Sequence, residues 1–213
     1  MNALRLLKHD HRIVEALFKQ FEKAGEKAYK EKKEIVRWIV KELSIHAAIE
    51  EELLYPVARA RDEGLKKDVL EALEEHHVVK WTLKELEGMS AEDERFDAKV
   101  TVLIENIRHH VKEEEGDLFP KLEKLMGKAE LEALGEALEQ AKKTVPTHPH
   151  PKSPDSPPGN LVAGVLAKIL DAGRDAARSG GRRAMKTLGR ATGRTKTRAS
   201  PAKKRARRAA TAR

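Results

Sequence analysis

The chain has no cysteine. Disulfide frameworks, zinc–thiolate fingers, iron–sulfur clusters and thiol nucleophiles are excluded together, and any metal must be held by nitrogen and oxygen. No stretch approaches the roughly 18 consecutive apolar residues that a membrane-spanning helix needs. The N-terminus, MNALRLLKHDHR, is charged within five residues and lacks an apolar run ending in a small-residue cleavage site, so no secretory signal is read and a cytoplasmic location is expected.

What is present divides into two materials. Residues 1–140 carry 24 basic and 32 acidic residues, a net charge of −8. Residues 141–213 carry 19 basic and 3 acidic residues, a net charge of +16, and contain no Phe, Tyr or Trp. About 140 residues can bury a sizeable core, whereas a proline-punctuated basic segment without aromatics cannot offset its own ordering entropy. The expected organisation is a folded domain over 1–143, a proline-rich linker over 144–160, an amphipathic helix over 161–178 and a basic, largely disordered tail over 179–213.

In the first part apolar residues recur at intervals of three and four, as in Leu4, Leu7, Val14, Leu17, Phe18 and Phe21. Glycines and turn residues then divide it into helices near 3–25, 31–62, 66–87 and 95–126, with a shorter fifth near 128–142. Four long helices with short connections predict an all-α, up-down-up-down four-helix bundle. Pro56 and Pro120 fall late in the second and fourth segments, where they are expected to kink or end them.

The bundle also repeats itself. HDHRIVEALFKQFE, from His9, overlays EEHHVVKWTLKELE, from Glu74, and places His11 on His76. HAAIEEELLYP, from His46, overlays HVKEEEGDLFP, from His110, and each contains His, three residues, Glu, then a proline ten residues after the histidine. Two similar helix hairpins would set these four histidines at equivalent positions.

Seven of the nine histidines lie in this part, six within those segments and the seventh, His109, immediately before the last of them. On a helix, His46 and Glu50 share a face, as do His110 and Glu114. With His11 and His76 they give four imidazoles and two carboxylates, a set that suits two metal ions bridged by the carboxylates. Donors of this kind favour iron or manganese, and nitrogen-rich sites also accept zinc and copper. Burying such a set without a partner would be costly.

Through KHDHR, HAAIEEELLYP, EEHHVVK and HHVKEEEGDLFP, residues 1–140 resemble the hemerythrin-like HHE cation-binding domains. The resemblance implies a four-helix bundle around a non-haem di-iron centre with His11, His46, Glu50, His76, His110 and Glu114 as ligands. Members of that family store or sense oxygen, respond to iron or nitric oxide, or decompose peroxide. Oxygen carriers have an HxxxH pair on the third helix, whereas here the residue four after His76 is Lys80 and four after His77 is Trp81. The resemblance therefore implies sensing, redox or peroxide chemistry ahead of reversible storage. His77 competes with His76, and His109, Glu51 and Glu113 stand close enough in sequence to take part. The remaining glutamates of the two triplets are expected in solvent. Trp38, Trp81, Phe18, Phe21 and Leu103 are read as core, and Tyr55 as a core cap that could also be a redox-active phenol.

Beyond the bundle, VPTHPHPKSPDSPPG has six prolines in fifteen residues and reads as an extended linker. In LVAGVLAKILDAGRDAAR, Leu161, Val162, Val165, Leu166, Ile169 and Leu170 form a helical stripe whose partner is the bundle, a membrane surface or another copy. The last 35 residues hold 13 Lys plus Arg and no acid. That composition predicts sequence-independent, salt-sensitive binding to phosphate in DNA or another polyanion, with an anionic membrane as competitor. The functional expectation is a di-iron protein that binds, senses or reduces dioxygen, peroxide or nitric oxide. The alternatives are a DNA- or membrane-associated protein with a structural metal, and a peroxide-decomposing enzyme.

Overall fold

The computed structural model describes residues 1–152, 164–174 and 176–177. Within it the chain runs α1 (Ala3–Lys23), α2 (Tyr29–Ile49), α3 (Tyr55–Arg61), α4 (Lys66–Gly88), α5 (Phe96–Glu113), α6 (Phe119–Leu125) and α7 (Lys128–Ala141). Five-residue π-helical turns, Glu50–Leu54 and Glu114–Leu118, join α2 to α3 and α5 to α6, so 29–61 and 96–125 are continuous rods. With α1 and α4 these rods form the four-helix bundle, and α7 packs along α1. No helix of the described residues is long and apolar enough to cross a membrane.

Each helix is dictated by a buried stripe at alternating intervals of three and four. In α1 it is Leu4, Leu7, His11, Val14, Phe18 and Phe21. In α2 and the turn after it, the stripe is Val36, Ile39, Leu43, His46 and Glu50. In α4 it is Val69, Ala72, His76, Val79, Leu83 and Leu86. In α5 and its following turn it is Phe96, Val100, Leu103, Ile107, His110 and Glu114. The histidines and glutamates therefore occupy positions at which a leucine would otherwise pack, each foregoing roughly 1.5–3 kcal/mol of apolar burial.

These polar residues split the core. One apolar cluster gathers Leu4, Leu7, Leu53, Leu54, Val69, Phe119, Leu122 and the leucines of α7. The other gathers Val14, Phe18, Phe21, Ile39, Leu83, Leu86, Phe96 and Leu103. Every long helix passes from one cluster, through its histidine, to the other.

Helix ends are fixed locally. The Asn2 carboxamide accepts from the Arg5 N–H at 2.9 Å to cap α1, and the Glu130 carboxylate accepts from the Gly127 N–H at 2.8 Å to open α7. Pro56 and Pro120 do not end the rods. A proline in an α-helix lacks the N–H that bonds four residues back and its ring collides with that carbonyl. Here Tyr55 and Phe119 donate five residues back, to the carbonyls of Glu50 and Glu114, and the widened turn admits the proline at the start of the next α-helical stretch.

Trp38 and Trp81 are nearly half exposed, against expectation, because each falls off the three–four stripe of its helix; Phe18, Phe21 and Leu103 are buried. Residues 164–174 are helical and belong to the same unit as the bundle. Ile169 is buried in the cluster containing α7, with Val165 and Leu166 packed beside it, so the bundle is the partner of this stripe. Leu170 is exposed, because a helix lying on a flat surface buries only a narrow strip. Leu161 and Val162, and the basic segment 179–213, lie outside the described residues.

Candidate metal centre

The four stripe histidines meet in pairs. His11 and His46, from α1 and α2, bring their Nε2 atoms within 3.1 Å. His76 and His110, from α4 and α5, do the same at 3.2 Å. Each pair comes from one hairpin, and the two pairs are related as the sequence repeat implies.

Between the pairs lie two buried carboxylates. Glu50 Oε2 is 3.2 Å from His46 Nε2 and 3.5 Å from His76 Nε2. Glu114 Oε2 is 3.3 Å from His11 Nε2 and 3.6 Å from His110 Nε2. Each glutamate thus touches one imidazole from either hairpin. The donor atoms fall into two groups that share Glu50: His11, His46, Glu50 and Glu114, and Glu50, His76 and His110.

Outside this layer, carboxylates hold the far edges of the imidazoles. His11 Nδ1 lies 2.8 Å from Glu115 Oε1, His76 Nδ1 3.1 Å from Glu51 Oε1, and His110 Nδ1 2.6 Å from Glu75 Oε2. His46 Nδ1 faces Asp10 Oδ2 at a longer 3.7 Å. A carboxylate at Nδ1 keeps the proton there and leaves Nε2 as a lone pair directed inward, the tautomer a metal requires. Facing Nε2 atoms without a proton between them repel, and a cation converts that repulsion into ligation.

The electrostatics agree. Burial lowers the His46 imidazole to about 4 despite the neighbouring Asp10, and lowers His76 against the pull of Glu51. Burial also opposes protonation of His110, yet Glu114 and Glu75 raise it. Burial and the adjacent Glu114 push Glu50 well above the usual carboxylate range. Burial acts on Glu114 in the same sense, but His110, His11 and His46 outweigh it and hold that carboxyl low. Two touching carboxylates in the core cannot both be charged without added positive charge. Among the described residues, both oxygens of Glu50 and Oε2 of Glu114 lack any hydrogen-bond donor. Orphaned buried carboxylate oxygens beside inward imidazole lone pairs fit a cation pair.

Tyr55 belongs to the site as well as to the core. Its hydroxyl donates to Glu114 Oε1 at 3.0 Å and lies 3.3 Å from His76 Nε2. Burial, with Glu114 and Glu50 adding to it, raises the phenol so that it keeps its proton. Phe119 stacks on the His11 ring with centroids 5.9 Å apart and planes inclined by 7°.

Sequence reasoning placed His11, His46, Glu50, His76, His110 and Glu114, and all six converge. Between the alternatives, His76 points inward while the partly exposed His77 accepts from the Trp81 indole N–H. His109 and Glu113 face outward. Glu51 is not in solvent: it is buried between His76 and Lys80, whose ammonium donates to Glu51 Oε2 at 3.0 Å. Glu115 is partly buried against His11. Asp10, Glu75 and Glu115 were missed as orienting groups. The available signal was that each adjoins a stripe histidine or glutamate, and neighbours about 100° apart on a helix reach the next seam.

Comparison with known proteins agrees with this geometry. The family model described as the hemerythrin HHE cation binding domain matches residues 2–122. A hemerythrin-like protein of Schizosaccharomyces pombe is 33% identical over 173 residues, covering 77% of this chain and 85% of that protein. A DNA nickase of Nostoc is 27% identical over 145 residues, which is 68% of this chain but 40% of the nickase. A crystal structure of a hemerythrin HHE cation binding domain-containing protein from Mycobacterium kansasii superposes with a TM-score of 0.57 at 27% identity, covering 68% of this chain and 89% of that one.

Proposed function

The chain belongs to the hemerythrin HHE cation-binding family, and from that premise we propose that it holds two non-haem iron ions and binds, senses or reduces a small oxidant: dioxygen, peroxide or nitric oxide. His11 and His46 would hold one ion and His76 and His110 the other, with Glu50 and Glu114 available to both. The observation that carries this reading is that each of these carboxylates lies against one imidazole from both hairpins. An iron pair in such a site supplies electrons to, or shares them with, an oxidant. The chain's own residues would do the rest. The apolar clusters on either side exclude water, the outer carboxylates fix the imidazoles, and the Tyr55 hydroxyl keeps a proton at Glu114.

The test is metal analysis with absorption spectra of anaerobic and aerated samples. About two irons per chain, with bands that shift on adding azide or peroxide, support the reading. Zinc, or no retained metal, would overturn it. Oxygen evolved from peroxide would mark the peroxide-decomposing form of the same site.

A second role rests on the tail. Residues 179–213 hold 13 basic residues and no acid, and the similarity to a protein named DNA nickase supports DNA as the polyanion. We assign the division of labour accordingly: metal chemistry in 1–143, a linker over 144–160, the apolar stripe of 161–178, helical at 164–174, as a clasp on the bundle, and the basic tail for phosphate contact.

A further inference from the structure

The four carboxylates that orient the inner imidazoles are not equivalent. Glu115 has Lys8 at 3.9 Å, Asp10 accepts from Lys142 at 2.6 Å, and Glu51 accepts from Lys80 at 3.0 Å. Three of the four therefore have an ammonium behind them, hydrogen-bonded at Asp10 and Glu51 and in longer contact at Glu115. Glu75 is the exception: among the described residues its ion-pair partners are imidazoles alone, His110 on the inner side and His109 on the outer.

His109 sits one residue before His110 on α5 and turns the other way. Its Nε2 is 3.2 Å from Glu113 Oε1, four residues along the same helix, and 3.9 Å from Glu75 Oε1 on α4. The three donor atoms lie within 4.8 Å of one another. His109-Glu113 thus repeats, one residue out of phase, the His–Glu spacing of His110-Glu114, and a second helix again supplies a further donor. A lysine in this position could only neutralise Glu75. An imidazole with a second carboxylate can ligate.

We propose that His109, Glu113 and Glu75 form an outer divalent-cation site that shares Glu75 with the buried layer. Its borderline nitrogen and two oxygens suit zinc or a similar first-row divalent ion better than magnesium or calcium, which prefer all-oxygen shells. His109 and Glu113 are 63% and 48% exposed, so an ion reaches them without opening the bundle. Glu75 uses its two oxygens for two tasks, one toward His110 and one toward the outer ion. The site is therefore a landing point one residue removed from the buried pair, a role that rests on reading the buried layer as a metal centre.

The experiment is equilibrium dialysis of the full chain against zinc, with metal counted per chain, on three proteins: the unaltered chain, H109A/E113Q and H46A/H76A. Circular dichroism checks that each remains helical, which the exposure of His109 and Glu113 favours. The site predicts that H109A/E113Q binds one zinc fewer than the unaltered chain and keeps the tightly retained ions. Equal stoichiometry in these two proteins overturns the proposal. H46A/H76A separates the two readings. Loss of the tight class with the outer ion kept supports both. Unchanged tight binding, with the outer ion still lost in H109A/E113Q, leaves the outer site standing and removes its role as a landing point for the buried pair.

Discussion

The ammonium of Lys80 lies 3.0 Å from Glu51 Oε2, while the other oxygen of the same carboxylate holds His76 Nδ1 at 3.1 Å. Lys80 stands four residues after His76, one turn further along α4. Both Lys80 and Glu51 are buried, and removing one member of a buried pair strands the other charge. Lys80→Met should therefore destabilise the chain by roughly 3 kcal/mol in urea unfolding. The double variant K80M/E51Q should lose less than the sum of the two singles. Additive losses would show that the pair is not coupled.

Acid should act on the metal-free chain through His46 and His76. Unfolded histidine titrates near about 6.5, whereas burial holds His46 at about 4 and lowers His76 as well. Below the unfolded value the unfolded chain takes up protons that the folded one refuses, so stability falls as pH drops from 6.5 toward 4. His46 alone accounts for at most about 3 kcal/mol of that loss. Glu50 and His110 work in the opposite direction: both are raised in the fold, so they stabilise it at low pH, and that contribution disappears as pH rises through their folded values. Urea midpoints of chelator-treated protein between pH 4 and 8 should fall at the acid end, and a profile flat from 4 to 6.5 would refute the assignment.

Glu50→Ala and Glu114→Ala should each reduce metal retention at both imidazole pairs, because each carboxylate contacts one histidine from either hairpin. Metal analysis after gel filtration reads this directly. Loss confined to one ion per chain would show that the carboxylate is terminal and not shared.

Gly135 sets how closely α7 approaches the N-terminus. A Cβ built there would stand 2.2 Å from the Met1 carbonyl oxygen and 2.8 Å from the Ala3 nitrogen. Both are backbone atoms, and Asn2 between them caps α1. Gly135→Ala should cost about 1–3 kcal/mol, visible as a lowered Tm, whereas Gly88→Ala, with open space around it, should not show this clash.

Removing 179–213 should abolish retention on DNA at low salt and leave metal content unchanged. Intact protein should elute with log affinity falling linearly in log salt. A deletion beginning at Val145 is a different experiment, since it also strips Ile169 from the apolar cluster. Its Tm should fall where that of the shorter deletion does not.

Helix limits and the six inner residues were legible because both obey one rule: a polar residue at a three–four core position is conspicuous, and the paired His–Glu spacing repeats. The orienting carboxylates were less so. Asp10 serves His46 on the next helix and Glu115 serves His11 on another, so their partners depend on how the rods are rotated against each other. Trp38 and Trp81 were misplaced because large apolar residues were assigned to the core by type, when their phase on α2 and α4 sets them outside it. The π-helical turns left only an indirect trace, a proline six residues after each glutamate.

Those two widened turns carry a consequence for how the centre can vary. The span from Glu50 to Pro56, like that from Glu114 to Pro120, holds one residue more than an unbroken α-helical path would use. Shortening either by a single amino acid would close the widened turn to α-helical spacing and set the proline ring against the carbonyl four residues back, straining the rod beside Tyr55 or Phe119. Chain length between landmarks, as much as chemical identity, therefore constrains which descendants of this sequence keep a working interior.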